Sequence, residues 1–222
     1  MKLTDNTVNV FKNFAAINRN ILIHEGNVVR TVSPSKTIMA KATIDNNFPR
    51  DVCIYELNRF LNTVGLFTEP ELEFADSHLT ITAGPSKIRY TYADPDHVVV
   101  AKKQDLNVTD YIVSVHISAE VLTAVDRARK TLGLEEISIE SDGSRLWIKA
   151  LDAAKTAANS STDEYALELG ECDRKFRAVL KADNMELIPR AYDVSISSKG
   201  ITHWKGDNIE YWIVLVANKS EF

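Results

Sequence analysis

Apolar positions between residues 4 and 20 recur in helical steps, with Val10, Phe14, Ile17 and Ile21 spaced by four, three and four. That spacing predicts an amphipathic helix with one buried stripe. Asn9, Lys12 and Arg19 fall on a different face of the same helix. Two short apolar runs follow, 21–24 and 28–32, separated by Glu25-Gly26-Asn27. Gly26 can supply the positive φ of a tight turn, so the pattern predicts a hairpin. A similar phrase returns in the second half of the chain. Ser118 is suited to cap a helix over 119–132, whose buried stripe is Val121, Val125, Ala128 and Leu132 and whose Thr123, Arg127 and Lys130 share another face. Gly133 is placed to end it, and strands over 137–141 and 145–150 flank the turn Asp142-Gly143-Ser144.

Each half carries a second phrase. A short strand over 52–54 leads into a helix over 55–67 and strands over 71–74, 79–82 and 87–92. In the other half, a strand over 176–180 leads into a shorter helix over 182–188, stopped by Pro189, then strands over 192–197, 201–204 and 209–216. This internal repetition predicts an α+β fold. Four units, each roughly β-α-β-β(-β) with its helix on one face of antiparallel sheets, pair into two similar domains. The domains are expected over 1–94 and 113–222, with a connector over 95–112 that mixes proline, charge and short apolar runs (PDHVVVAKKQDLNVTD). Val113, Val115 and Ile117 alternate with Ser114, His116 and Ser118, the pattern of a half-buried strand opening the second domain.

Composition narrows the function classes. With 222 residues, 45% hydrophobic and 26% charged, the chain has the make-up of a globular protein rather than a disordered, collagen-like or disulfide-scaffold one. Its 26 Lys plus Arg against 31 Asp plus Glu give a formal charge of −5, the wrong sign for holding nucleic acid by bulk attraction. Any DNA contact has to be local. Cys53 and Cys172 lie far apart, as suits reduced thiols in a cytosol. The longest apolar run, 211–217, falls well short of the roughly 20 residues that span a bilayer. The opening MKLTDNTVNV has no apolar core of a secretory signal, so the expected location is the compartment of synthesis.

No catalytic constellation emerges. There is no G-x-S-x-G elbow, Walker loop or G-x-G-x-x-G, and GPSKIRY at 84–90 reads as a turn entering a strand. His24, His78, His97, His116 and His203 lack metal-ligand spacing, and Asp94, Asp96 and His97 lack further donors beside them. Trp147, Tyr211 and Trp212 sit within strands, where aromatic rings pack. The expectation is a non-enzyme with no cofactor and no metal. What survives is a set of basic residues opposite buried stripes: Lys12, Arg19, Arg127, Lys130, and Arg59 across the helix from Leu57, Phe60, Leu61 and Val64. Two explanations stay open, an ordinary solvated helix face or a local positive lining that attracts phosphates without reading bases.

The opening MKLTDNTVNVFKNFAAINRNILI, the run VCIYELNRFLNTV, the phrase YADPDHVVVA and the final strand ending in Phe222 resemble the sliding clamps of T-even-type bacteriophages. The resemblance implies the DNA clamp fold and a homotrimeric ring around duplex DNA. Such a ring is a processivity factor for the replicative DNA polymerase, opened by an ATP-dependent clamp loader, and also serves late-transcription factors, in the cytoplasm of an infected bacterium. By position it makes Lys12, Arg19, Arg59, Arg127 and Lys130 DNA-facing. It sets Ile88 and Tyr90 of one subunit against Tyr165 and Leu167 of the next, and it lines a groove for partner tails with Met39, Val98, Val99, Val100, Leu106 and Val108. The rival reading is a virion or assembly protein that oligomerises through the same strand edges.

Overall fold

The computed structural model describes residues 1–102, 105–152 and 163–222. They form two compact units, 1–105 and 106–222.

The first unit opens with α1 (Asp5–Ile17). The Thr4 side chain caps it by accepting from the Thr7 N–H at 3.2 Å, and Val10, Phe11, Phe14, Ala15 and Ile17 are buried. Each large apolar side chain so buried contributes about 1.5–3 kcal/mol. β1 (Ile21–Ile23) and β2 (Gly26–Val32) follow, but not as the hairpin the Gly26 turn suggested. Gly26 does take a positive φ of 109°. β1 instead pairs antiparallel with β4 (Val52–Ile54), and β2 pairs with β3 (Ile38–Phe48). A three-residue strand as apolar as Ile-Leu-Ile pairs where its sides are buried, and β4, buried at all three positions, offers that.

β3, the longest strand, escaped the periodicity reading. Its inward positions are Ile38, Ala40, Ala42, Ile44, Asn46 and Phe48, a face diluted by two alanines and an amide. Buried Asn46 is satisfied nonetheless: Oδ1 accepts from the Thr4 N–H at 3.0 Å and Nδ2 donates to the Lys2 carbonyl at 2.7 Å. Phe48 then touches Phe11 of α1 at a ring distance of 6.0 Å and Phe74 at 5.6 Å. After β4, α2 (Leu57–Val64) buries Leu57, Phe60, Leu61 and Val64 and packs on α1. β5 (Glu71–Phe74), β6 (His78–Ala83) and β7 (Ser86–Thr91) close the unit in the order β5-β6-β7.

In the second unit β8 (Tyr111–Ile117), which begins inside the stretch expected as connector, leads to α3 (Ala119–Leu132). Ser118 caps α3 through the Val121 N–H at 3.4 Å, and Gly133 ends it in the left-handed region at φ 66°, both as the sequence predicts. The expected buried stripe narrows to Val125; Val121 and Ala128 are half-buried, and Leu132 is 41% exposed. β9 (Glu136–Asp142), β10 (Arg145–Leu151), β11 (Tyr165–Glu171) and β12 (Lys175–Lys181) form a sheet in the order β11-β10-β9-β12. β13 (Tyr192–Ser197), β14 (Ile201–Lys205) and β15 (Ile209–Val214) continue antiparallel from β8 in the order β8-β13-β14-β15.

The helix expected over 182–188 is a single 3-10 turn, Ala182–Asn184. The backbone beyond it finds partners outside a helix: the Ile188 N–H donates to the Tyr211 hydroxyl at 3.2 Å, and the Ile188 carbonyl accepts from the Tyr192 hydroxyl at 2.7 Å. Burial pushes the Tyr211 hydroxyl up to about 12 and that of Tyr192 higher still, so both stay protonated.

Candidate DNA-facing and partner-docking surfaces

The structure sorts the five basic residues by how free they are. Lys12 on α1 and Arg59 on α2 are exposed and, among the described residues, enter no ion pair. Arg19 lies beyond α1 rather than on its face. The helix ends at Asn18, whose extended backbone and Oδ1 bond to the Asn20 N–H (3.0 Å) turn the chain toward β1. There the Arg19 guanidinium lies 4.7 Å over the Tyr55 ring, bonds the Tyr55 hydroxyl and faces Glu56 at 3.6 Å. In the second unit Arg127 is exposed on α3 and without an ion pair among the described residues. Lys130 is tied to Asp126 at 2.6 Å, and Asp126 also takes Arg129 at 2.9 Å. Arg129 was not singled out in the sequence, and its side chain is only 16% exposed.

Ile88 and Tyr90 lie on β7, whose partner is β6; among the described residues no strand pairs with the opposite edge of β7. Both side chains turn inward: the Tyr90 ring meets Phe60 edge-on at 5.4 Å, and burial raises its hydroxyl pKa. Lys87, Arg89 and Thr91 alternate outward. Tyr165 and Leu167 lie on β11, likewise an edge strand, paired with β10. Here Ala166, Glu168 and Glu171 alternate outward, and Glu168 holds Arg145 at 2.6 Å. The two edges carry opposite charge, a feature periodicity alone does not reveal.

The proposed groove residues fall in two places. In the first unit, Asn18 at the end of α1 donates through Nδ2 to the Val32 carbonyl (2.9 Å) and to the Val99 carbonyl (3.0 Å), while Asn20 Oδ1 accepts from the Val99 N–H at 3.1 Å. The connector is thereby held beside the end of β2, where Val32 is registered with Met39. Val98 is half-buried, Val99 40% exposed and Val100 38% exposed. Leu106, 44% exposed, and Val108, half-buried, belong to the second unit.

His24, His116 and His203 each face one carboxylate, those of Asp51, Asp193 and Glu210, at 2.8–2.9 Å. Among the described residues no three His, Cys, Asp or Glu side chains are arranged to hold a metal ion. No helix among them is long and apolar enough to cross a membrane. Free Cys53 is buried, and burial pushes its thiol up to about 11, with nearby Asp94 adding to the shift.

Two α+β units, the first with two helices and the second with one packed on antiparallel sheet, define the class: a DNA clamp. A PCNA2-PCNA3 complex from Sulfolobus tokodaii matches with a TM-score of 0.66 at 14% identity, over 98% of this chain and 100% of that one. The A. fulgidus PCNA bound to the C-terminal region of FEN-1 matches with a TM-score of 0.66 at 14% identity, over 94% of both chains. Residues 4–100 match the DNA polymerase processivity factor family, and residues 114–217 match the family described as gp45 sliding clamp, C terminal. The sliding clamp of Vibrio phage KVP40 is 31% identical, over 98% of this chain and 100% of that protein. The sliding clamp of Enterobacteria phage T4 is 27% identical, over 99% of each. The chain belongs to the phage sliding-clamp family, the non-catalytic processivity factors of DNA replication.

Proposed function

We propose that three copies of this chain close head to tail into a ring around duplex DNA and tether the replicative polymerase to its template. The observation that carries this reading is the pair of open strand edges, basic on β7 at Lys87 and Arg89 and acidic on β11 at Glu168 and Glu171. An open edge offers unpaired amide donors and acceptors. Two different edges of opposite charge favour a heterologous contact, which makes a ring when the rotation per subunit closes. Ile88 and Tyr90 then meet Tyr165 and Leu167 through backbone pairing, while their side chains stiffen each edge from behind.

Confinement replaces adhesion in such an assembly. Lys12, Arg59 and Arg127 face the phosphates as free cations, with Arg19 and Lys130 contributing less because Glu56 and Asp126 already engage them. Weak, sequence-independent contacts let the ring slide, and its residence follows the strength of the subunit contact. An interface near 10 nM, about 11 kcal/mol, keeps the ring shut yet lets an ATP-driven loader open it. The polymerase, the loader and late-transcription factors dock by short tails beside the connector, at Met39 and Val98–Val100 in the first unit, in the host cytoplasm. The A. fulgidus PCNA bound to the C-terminal region of FEN-1 supports docking through a terminal segment of the partner. Equilibrium ultracentrifugation tests the ring: it is expected to return about three times the 24.9 kDa chain mass. A monomer at micromolar concentration overturns the proposal, and assembly without polymerase stimulation favours a virion role instead.

A further inference from the structure

Arg30 on β2 and Lys41 on β3 stand directly opposite each other on the face of the hairpin away from α1. Like charges in that position are unfavourable across a ladder. Both side chains are also largely out of solvent, 18% and 21% exposed. One carboxylate sits between them. Asp105, from the connector, accepts from Arg30 Nη2 at 3.0 Å and from Lys41 Nζ at 2.7 Å. The hydrogen bond from Lys41, then that from Arg30, holds the Asp105 carboxyl below the usual carboxylate range. Both cations bond to this carboxylate, and the Arg30 Nε is buried without a hydrogen-bond partner. Asp105 itself stays half in water, 49% exposed.

The surroundings are those of a peptide site. Val28, Val32 and Met39 flank the two cations on the same face, and Val99 of the connector is pinned beside Val32 by Asn18 and Asn20. An apolar strip with a half-buried cation pair at its centre suits a polypeptide tail carrying a carboxylate among apolar side chains.

We propose that Asp105 is a built-in stand-in for that carboxylate, a tethered latch that an acidic-apolar partner tail displaces from Arg30 and Lys41 when it docks. The inference rests on the docking reading above and adds to it the chemistry of the tail and its regulation. A carboxylate tethered by the connector competes at a high effective concentration, so it lowers the apparent affinity of every tail by the fraction of time the cations are taken. The competition has a use on a clamp that several proteins share: no tail holds so tightly that the next cannot replace it. It also discriminates, because a purely apolar tail cannot replace the carboxylate bonds that Arg30 and Lys41 lose when Asp105 is displaced.

The test uses the full chain and a short synthetic peptide of the C-terminal residues of the phage's own polymerase. The peptide is made once with free carboxylates and once with every carboxylate converted to amide, and both are titrated by fluorescence anisotropy. The unaltered clamp is expected to prefer the acid form. Asp105→Asn is expected to tighten the acid form by about threefold, the size a part-exposed ion pair supports, with no comparable gain for the amide form. Arg30→Met with Lys41→Met is expected to abolish the preference. In the unaltered clamp the Asp105 side-chain carboxyl resonance is expected to move on adding the acid form and to stay put with the amide form. Asp105→Asn weakening both peptides alike makes Asp105 a plain staple of the groove wall and overturns the latch, as does equal affinity of the unaltered clamp for the two forms. Val99→Asp separates the two levels. If it abolishes binding while Asp105→Asn changes nothing, the latch fails and the groove stands; if it leaves both peptides bound as before, the docking reading itself fails.

Discussion

Two helices lie side by side in the first unit, and one stands alone in the second. α1 and α2 bury each other's flanks, so α1 sinks Val10, Phe11, Phe14, Ala15 and Ile17 and α2 four more. α3 is of similar length and as well capped, yet Val125 is its one fully buried residue. The segment that by repetition would have been its neighbour is a 3-10 turn and loop. A cleft of about 260 Å³ remains between α3 and that loop, lined by Leu122, Val125, Arg129, Met185 and Leu187. The lesson is that the depth to which a helix is buried depends on its neighbours as much as on its own pattern. The sequence stripe of α3 is as regular as that of α1, but a stripe can be buried only where something covers it.

The contrast can be broken by substitution. Phe14→Ala, at a fully buried site, is expected to cost about 3–5 kcal/mol, and Val125→Ala about 2 kcal/mol, because fewer methyl groups and a looser surround are involved. Leu132→Ala is expected to stay within about 0.5 kcal/mol. Urea unfolding of the full chain reads all three, and a Leu132 cost near that of Val125 would mean that α3 is covered in solution.

The charges on α3 also differ in how they are held. Arg127→Glu is expected to lower the salt dependence of polymerase-free clamp–DNA association by more than the single unit of slope expected for loss of one phosphate contact, whereas Lys130→Glu does less, since Asp126 already neutralises Lys130. Equal effects would show that the Asp126 pair opens on DNA.

The smallest expected difference lies in the thiols. Cys172, half-exposed, is expected to react with a thiol reagent at neutral pH, and Cys53 only on unfolding. The Cys53 thiol ionises near pH ~8.5 in the unfolded chain but at about 11 in the fold. Its contribution to stability is therefore complete below pH ~8.5 and is lost as pH rises toward about 11, because the unfolded state sheds its proton first. Cys53→Ala is expected to flatten that alkaline decline, as read from stability measured against pH; an unchanged slope would place its cause elsewhere, in the buried tyrosines.

Local signals were legible where the physics is local. Ser118 and Gly133 bound α3 because a cap needs only its own side chain or its own freedom of φ, and both can be read one residue at a time. The stripe of Leu57, Phe60, Leu61 and Val64 is likewise a property of eight consecutive residues. β3 was not legible, since Ala40, Ala42 and Asn46 look like no apolar face until Thr4 and Lys2 arrive to satisfy the amide. The hairpin of β1 with β2 failed for the complementary reason: a turn residue at Gly26 says that the chain reverses, not which strand each side will pair with.

The sequence by itself determined the α+β class, the position of three helices, the absence of bulk positive charge and the list of basic residues worth considering. Tertiary structure alone decided which of those cations are free, which strand edges are left open, and that one connector carboxylate bridges two facing cations. Those outcomes depend on pairings between residues far apart in the chain, where spacing carries no information and only the packed arrangement sets distance and exposure.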